Sequence, residues 1–399
     1  MASSRKTAKN RELHVDIEAI ATLSMVSMGL FSPVSGLMGE KEAKETDETA
    51  HYKGSPFPFS LLLAPSGKRN EAVLTSAKPG EVLDIYCNRE KRGELTVQEV
   101  FPIDPIQRVQ RIYGTSDMSH PGVVNTLKRL GKYAVSGPYS VDFDDVRLAL
   151  DKVGEAVGNV DAKDITGMVM AARPLHRAHE RVIRQTLETT DLLVIFLTKP
   201  YLQDTFPYQL RYDTLDYFVR NFLPSRKVVI VPLENTYIFA GNNEIVLNGL
   251  VVRNFGCNRF VVGQNHAGLG LYYEHQKINT VFNKVSDIGV EVETVSEFVY
   301  CDVCKTLVTI HSCPHGQHHH IFYHSDSILE LLHEGILPPA VLMRKEISAM
   351  ILSRLFPDRF KNVSRLYYDM MPSGGLIEEH NQTDFYLSLM KLYQTTSLT

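Results

Sequence analysis

The sequence predicts an α/β protein with a β-rich N-terminal domain (1–160), a parallel-sheet domain with covering helices (161–323) and a small helical C-terminal domain with a tail (324–399). Three observations predict it. Between residues 13 and 146, short apolar runs are broken by Gly and Pro, as in Ser55-Pro-Phe-Pro-Phe-Ser-Leu-Leu-Leu63, Glu81-Val-Leu-Asp-Ile-Tyr86 and Tyr133-Ala-Val-Ser-Gly-Pro138; these are strand and turn signals. From about Asp164, strand-like and helical stretches alternate: 165–171 then 174–190, 192–197 then 209–222, 228–232 then 243–255, 259–262 then 271–285. That is the rhythm of βαβ units, whose crossovers keep the strands parallel and lay helices on the sheet. After His320 the pattern is helical over 325–334 and 344–355, and beyond about Phe360 no motif stands out.

Bulk properties narrow the function classes. At 399 residues the chain exceeds one ordinary core, so two or three domains are expected. A net charge of −4 argues against broad attraction to nucleic acid or to an anionic membrane, so any anionic ligand needs a local cationic pocket. The longest apolar runs, 192–197 and 228–233, fall far short of the roughly 20 residues of a membrane helix. The basic start, Met1-Ala-Ser-Ser-Arg-Lys-Thr-Ala-Lys-Asn10, lacks the apolar stretch and cleavage pattern of a secretory signal, and a cytoplasmic location is expected. The charge run 39–48 reads as a solvated helix or loop.

The segment Arg173-Pro-Leu-His-Arg-Ala-His179 lies where the first strand gives way to its helix. With Pro174 in the first helical turn, His176 and His179 are three apart and share one face. In open α/β sheets, ligands bind at the carboxyl ends of strands. Free amides at a helix N-terminus favour an anion there, and imidazoles add donors for charge that builds on phosphate oxygens as a bond breaks. The pair is therefore a candidate phosphate site.

Of five cysteines, Cys87 and Cys257 are isolated, while Cys301, Cys304 and Cys313 form Cys-x2-Cys-x8-Cys, followed by several histidines. Thiolates and imidazole make a closed tetrahedral zinc site, and a full set of four protein ligands points to a structural metal rather than a catalytic one. The fourth ligand is open among His315, His318, His319 and His320, with His311 assigned to backbone or water.

Pro-Leu-His-Arg-Ala-His-Glu (174–180) resembles the signature of the ATP sulfurylase, or sulfate adenylyltransferase, family. The resemblance extends in order through Gly29-Leu-Phe-Ser-Pro-Val-Ser-Gly-Leu-Met38, Gly114-Thr-Ser-Asp-Met-Ser-His-Pro-Gly-Val123, Ala240-Gly241, Gly263-Gln-Asn-His-Ala-Gly268 and Leu337-Pro-Pro-Ala-Val-Leu-Met-Arg344, over roughly residues 13–356. It implies a PUA-like N-terminal domain, a Rossmann-like nucleotidyltransferase domain and a homo-oligomer. It also implies ATP with magnesium as one substrate and sulfate as the other, joined by direct attack of a sulfate oxygen on the α-phosphorus to give adenosine 5′-phosphosulfate and pyrophosphate. Such chemistry rests on in-line positioning and charge neutralisation rather than on an enzyme nucleophile. His176, His179 and Arg173 are the implied catalytic residues, and Gly263, Gln264, Asn265, His266, Ala240 and Gly241 the implied nucleotide or substrate contacts. Similarity to a Cys3His site in some bacterial members points to His320 as the fourth zinc ligand.

The chain departs from the family at the acceptor end. Met170-Ala171-Ala172-Arg173 stands where the family has Gln-Thr-Arg-Asn, Gln264-Asn265 where it has Arg-Asp, Asn242-Asn243 where it has Pro-Arg, and His324-Ser-Asp-Ser-Ile-Leu329 where it has Ser-Gly-Thr-Lys-x-Arg. Either Arg173, with Arg211 or Arg253, rebuilds an anion site, since a guanidinium grips two oxygens at once, or the acceptor is no longer sulfate and the protein transfers to another molecule or only binds nucleotide. Lys199 and Asp204 stand at strand-end positions that match a Lys and an Asp of the family's nucleotide pocket. Arg344 matches a family landmark and is left out of the catalytic set.

Overall fold

The structure is a computed structural model that describes residues 10–201, 206–263, 288–371 and 380–393. The N-terminal region carries two small sheets. In one, Arg11–His14 runs parallel to Val82–Cys87, which continues antiparallel through Glu90–Thr96 to Tyr139–Val141. In the other, Leu130–Ser136 lies between Leu63–Pro65 and Glu99–Pro102. Helix Ile17–Ser27 starts where the Asp16 carboxylate accepts the Ala19 N–H at 2.9 Å. The charge run forms helix Glu40–Thr49, with Ala43 and Thr46 as its buried residues.

The central sheet has five parallel strands in the order Val228–Asn235, Leu192–Pro200, Ile165–Met170, Arg259–Gly263, Glu291–Val295. The chain winds one way from 165 to 235 and then crosses back to 259, which leaves a crevice at the carboxyl ends of the neighbouring strands Ile165–Met170 and Arg259–Gly263. Ligands of such sheets bind there. Residues 192 to 197 are all 0% exposed, as a continuous apolar run covered on both faces requires. Leu193, Ile195 and Leu197 share a core with Ile183, Leu215 and Phe218, whereas Leu192, Val194 and Phe196 pack with Leu247 and Val251.

That second core continues into the N-terminal region through Phe31, Phe57 and Phe59. Arg129 closes the junction, paired with Asp16 and Glu18 at 2.5 Å and lying 4.1 Å over the Tyr237 ring. Helix Asp145–Val160 packs on strands Leu192–Pro200 and Val228–Asn235. The C-terminal helices Ser325–His333 and Lys345–Leu355 share the first core through Leu329, Leu332, Ile347, Ile351 and Leu352. Helices Val363–Met370 and Gln382–Tyr393 occupy the stretch in which the sequence offered no motif.

Gly167 shows how closely helix Glu244–Asn254 sits on the sheet. A Cβ there would come within 2.4 Å of Val252 Cγ1, 3.1 Å of the Phe196 ring and 3.2 Å of Cys257 Sγ. Gly167→Ala is expected to destabilise the protein by about 1–3 kcal/mol through overpacking, measured as a lowered urea midpoint. An unchanged midpoint would mean that the helix backs away at no cost.

Candidate active site and metal centre

Strand Ile165–Met170 ends at the crevice, and Ala172 turns the chain with φ +46° while its side chain stays 1% exposed. The helix begins later than the sequence predicts. It spans Arg177–Thr186 rather than 174–190, because Pro174 lies in the turn and His176 is the N-cap, with extended backbone at φ −135° and ψ 173°. His179 Nδ1 accepts the His176 backbone N–H at 3.3 Å, and the two rings stack with centroids 3.7 Å apart at 23°. An accepting Nδ1 on a neutral ring places the proton on Nε2. His176 Nε2 lies 3.2 Å from Ser325 Oγ, and the Tyr323 ring flanks His176 with centroids 5.3 Å apart. Burial pushes His176 well below the ordinary histidine range and His179 down to about 4. Both imidazoles are therefore neutral at physiological pH, able to donate or accept a proton in a hydrogen bond but carrying no charge.

They face a cleft of about 660 Å³ at the carboxyl edge of the sheet. Met168, Met170, Ala172 and Gly263 from the strand ends line it together with Phe239, Glu244, Glu297 and Phe298. Arg173 is the sole Arg or Lys on this wall among the described residues, and it pairs with Asp326 at 3.5 Å. Burial raises the Glu244 carboxyl to about 7. Ala240 and Gly241 lie just ahead of Glu244, with Ala240 buried and Gly241 opening a short 3₁₀ turn. Gln264, Asn265, His266 and Asp204 lie outside the described residues, as does the helix expected over 271–285.

Other charged residues are used differently from the expectation. Arg211 is 2% exposed and its Nη1 donates to the Ala171 carbonyl at 2.9 Å, so it braces the strand end from the sheet side. Arg253 donates to the carbonyls of Ile288 at 2.6 Å and Ser32 at 2.5 Å, tying loops together away from the cleft. Lys199 is held by Asp145 at 2.6 Å and Glu234 at 3.3 Å, and the Tyr201 hydroxyl donates to the same Glu234. Thr198 and Asn235, from the same strand ends, line the cleft instead. Ser325, Tyr323 and Glu244 are cleft residues that sequence reasoning missed, because nothing local announces which residues of a distant helix start will meet His176.

The cysteine cluster is brought together by a three-stranded antiparallel sheet of Phe298–Cys301, Thr306–Thr309 and His320–Phe322. One ligand atom each from Cys301, Cys304, Cys313 and His315 lies within 4.8 Å of the others. His315 Nδ1 is 3.5, 3.3 and 3.4 Å from the three sulfurs in that order, and the Cys304 and Cys313 sulfurs are 3.9 Å apart. A tetrahedral zinc with ordinary bond lengths sets S···S edges of about 3.8 Å and S···N edges of about 3.6 Å, so the four residues fit that ion. The histidine that gathers with the three thiols is His315, one of the four left open by the sequence, rather than the His320 that the family resemblance implied. His320 stands opposite Cys301 in the ladder, but both its ring nitrogens are buried without a hydrogen-bond partner and neither joins the cluster. His319 is taken by Asp302 at 2.8 Å.

Residues 144–354 match the family model of ATP-sulfurylase, and residues 2–141 that of a PUA-like domain. Among curated relatives, a sulfate adenylyltransferase of Synechococcus sp. (strain JA-3-3Ab) is 27% identical, covering 85% of this chain and 88% of its own. One from Halothermothrix orenii is 26% identical, covering 87% and 93%. Among solved structures, a hexameric APS kinase from Thiobacillus denitrificans superposes with a TM-score of 0.63 at 17% identity; the match covers 87% of this chain but only 63% of that one. That likeness speaks for the fold alone. No helix among the described residues is long and apolar enough to cross a membrane. With more than half its length matched, this chain belongs to the ATP-sulfurylase family, a nucleotidyltransferase domain preceded by a PUA-like one.

Proposed function

We propose that the cleft transfers an adenylyl group from magnesium-bound ATP to sulfate, releasing pyrophosphate. The reading rests on the stacked, neutral His176–His179 pair at a helix start in the sheet's switch-point crevice. A sulfate oxygen attacks the α-phosphorus, the bond from that phosphorus to the bridging oxygen breaks, and pyrophosphate leaves with the bond's electrons. No proton has to move, because sulfate is already an anion. His179 Nε2–H would hydrogen-bond the phosphate oxygens on which charge gathers, without having to lose a proton first, and Arg173 would meet the acceptor. In this reading Gln264, Asn265 and His266 complete the nucleotide side, and the protein is a homo-oligomer.

A second reading keeps the adenylyl transfer and changes the acceptor. It is favoured by the described lining itself, where the single guanidinium, Arg173, is already paired with Asp326 and Glu297 adds a further carboxylate. A dianion is poorly received by that balance of charge. Pyrophosphate release from magnesium-ATP, measured with sulfate, then molybdate, then uncharged and cationic acceptors, separates the two. Release with sulfate and molybdate alone is expected from the first reading, and release that requires another acceptor would replace it with the second. If ATP neither turns over nor raises the melting temperature, neither reading stands.

A further inference from the structure

The histidine helix is not held by its own sheet alone. Glu180, next in sequence to His179 and one turn beyond His176, is 4% exposed. Its Oε2 accepts from Arg344 Nε at 2.9 Å, Arg344 Nη2 at 2.8 Å and Arg177 Nη1 at 3.2 Å. A carboxylate at that depth is tolerable only when its partners are fixed, and here the main partner is fixed twice. The Arg344 guanidinium lies 3.8 Å over the Phe222 ring, and its backbone is the N-cap of helix Lys345–Leu355.

The segment just before Arg344 grips the same helix turn. The Arg177 backbone N–H donates to the Leu342 carbonyl at 2.9 Å, Arg177 Nε donates to the Ala340 carbonyl at 3.1 Å, and the Tyr323 hydroxyl, whose ring flanks His176, donates to the Val341 carbonyl at 2.6 Å. The 340–344 strap, the first turn of the histidine helix and the ring beside His176 are thus one hydrogen-bonded unit. Its centre is the Glu180–Arg344 pair.

We propose that Glu180 and Arg344 are positioning residues, through which the 340–344 strap fixes the first turn of the histidine helix and so the stacked, single-tautomer arrangement of His176 and His179. The link to turnover rests on the adenylyl-transfer reading of the cleft; the link to the rings does not. An ion pair that only added stability would leave the ring geometry of the folded protein unchanged when it was removed. A positioning pair cannot, because the His176 backbone N–H that selects the His179 tautomer sits in the turn it holds.

The test compares Arg344→Met, Arg344→Lys, Glu180→Gln and, as a control on the same helix, Arg354→Met, whose exposed guanidinium lies 3.5 Å from Asp213. Ring nitrogens of ¹⁵N-histidine protein are read by two-bond proton–nitrogen correlation, and kcat and KM for ATP are measured beside them. In Arg344→Met the His179 signature of an accepting Nδ1 and a protonated Nε2 should give way to mixed tautomers in a protein still folded by circular dichroism. Turnover should fall roughly a hundredfold with KM within about threefold, Arg344→Lys should recover part of both losses, and Arg354→Met should match the parent. If Arg344→Met does not fold, Glu180→Gln, which keeps the side chain's shape, carries the same readout. A folded variant with parental histidine spectra would overturn the proposal. A parent protein with the single-tautomer signature and no turnover would instead remove the catalytic reading, while the effect on the rings still decides the positioning role.

Discussion

Replacing both His176 and His179 with alanine is expected to cut nucleotide turnover by about 10³-fold or more while the protein stays folded. Loss of a single preorganised donor at a developing oxyanion costs roughly 10²–10³ in rate, and two groups acting as a unit do not add simply. The fold should survive because the helix is also anchored by Ile183 in the core and by Glu180 at the strap. Loss of the N-cap and of the stacked rings is expected to lower the melting temperature. Circular dichroism and melting should therefore show a native but weaker protein, and loss of activity through unfolding would sink the assignment.

The burial of these rings also fixes a pH dependence. His179 is held at about 4 in the folded chain, whereas an unfolded histidine titrates near 6.5. Between those values the unfolded chain binds a proton that the folded chain refuses, so stability falls as pH drops from about 6.5 toward 4; above 6.5 the contribution is complete. Melting temperatures followed from pH 7.5 to 4.5 should show this slope, flattened in His179→Ala. Turnover should not follow an ordinary histidine titration near 6.5, since rings that work while neutral stay neutral across it.

Much of this was legible in the sequence, and the failures have physical causes. Four strands of the parallel sheet could be read because each carries a short, largely apolar run beside a helical pattern, as burial demands, whereas the edge strand Glu291–Val295, with glutamates at 291 and 293 and partial exposure, gave no such signal. The N-terminus of the histidine helix was misplaced by three residues. Pro174 is a good first-turn residue in general, but here the chain uses the left-handed Ala172 and the three residues Arg173, Pro174 and Leu175 to turn from the sheet edge to the N-cap His176. Arg211 and Arg253, alternatives in one of the two readings of the anion site, illustrate a different limit: a sequence shows that a guanidinium is present, not that backbone carbonyls of Ala171, Ser32 and Ile288 will claim it. Glu180 stood inside the signature but had no stated role, because its partner Arg344 is 164 residues away. Spacing rules see one helix turn, and this contact joins two distant segments.

The metal centre carries the other large expected effect. The 298–322 unit has little core of its own, with Phe298, Val299 and Cys301 as its buried apolar residues, and a unit that small needs a staple. Cys301 ends one strand, Cys304 lies in the following turn, and Cys313 and His315 come from the next loop, so one ion would close both loops at once. We expect about one zinc per chain. Cys301→Ser or His315→Ala should lose it, open the 302–319 loops to proteolysis and lower the melting temperature, and a chelator should reproduce that loss. Binding of structural zinc supplies roughly 10–16 kcal/mol in small peptides, so even the fraction that reaches this unit outweighs its few apolar contacts. His320→Ala should keep the metal, because neither of its ring nitrogens joins the cluster. Zinc retained in His315→Ala but lost in His320→Ala would reverse the assignment, and it would require the Cys313–His315 loop to refold around the ion. Catalysis in the zinc-free protein should suffer only indirectly. Strand Phe298–Cys301 packs against the histidine helix, and Phe298 lies on the cleft wall, so loosening the knot would disturb the site from behind rather than remove a reacting group.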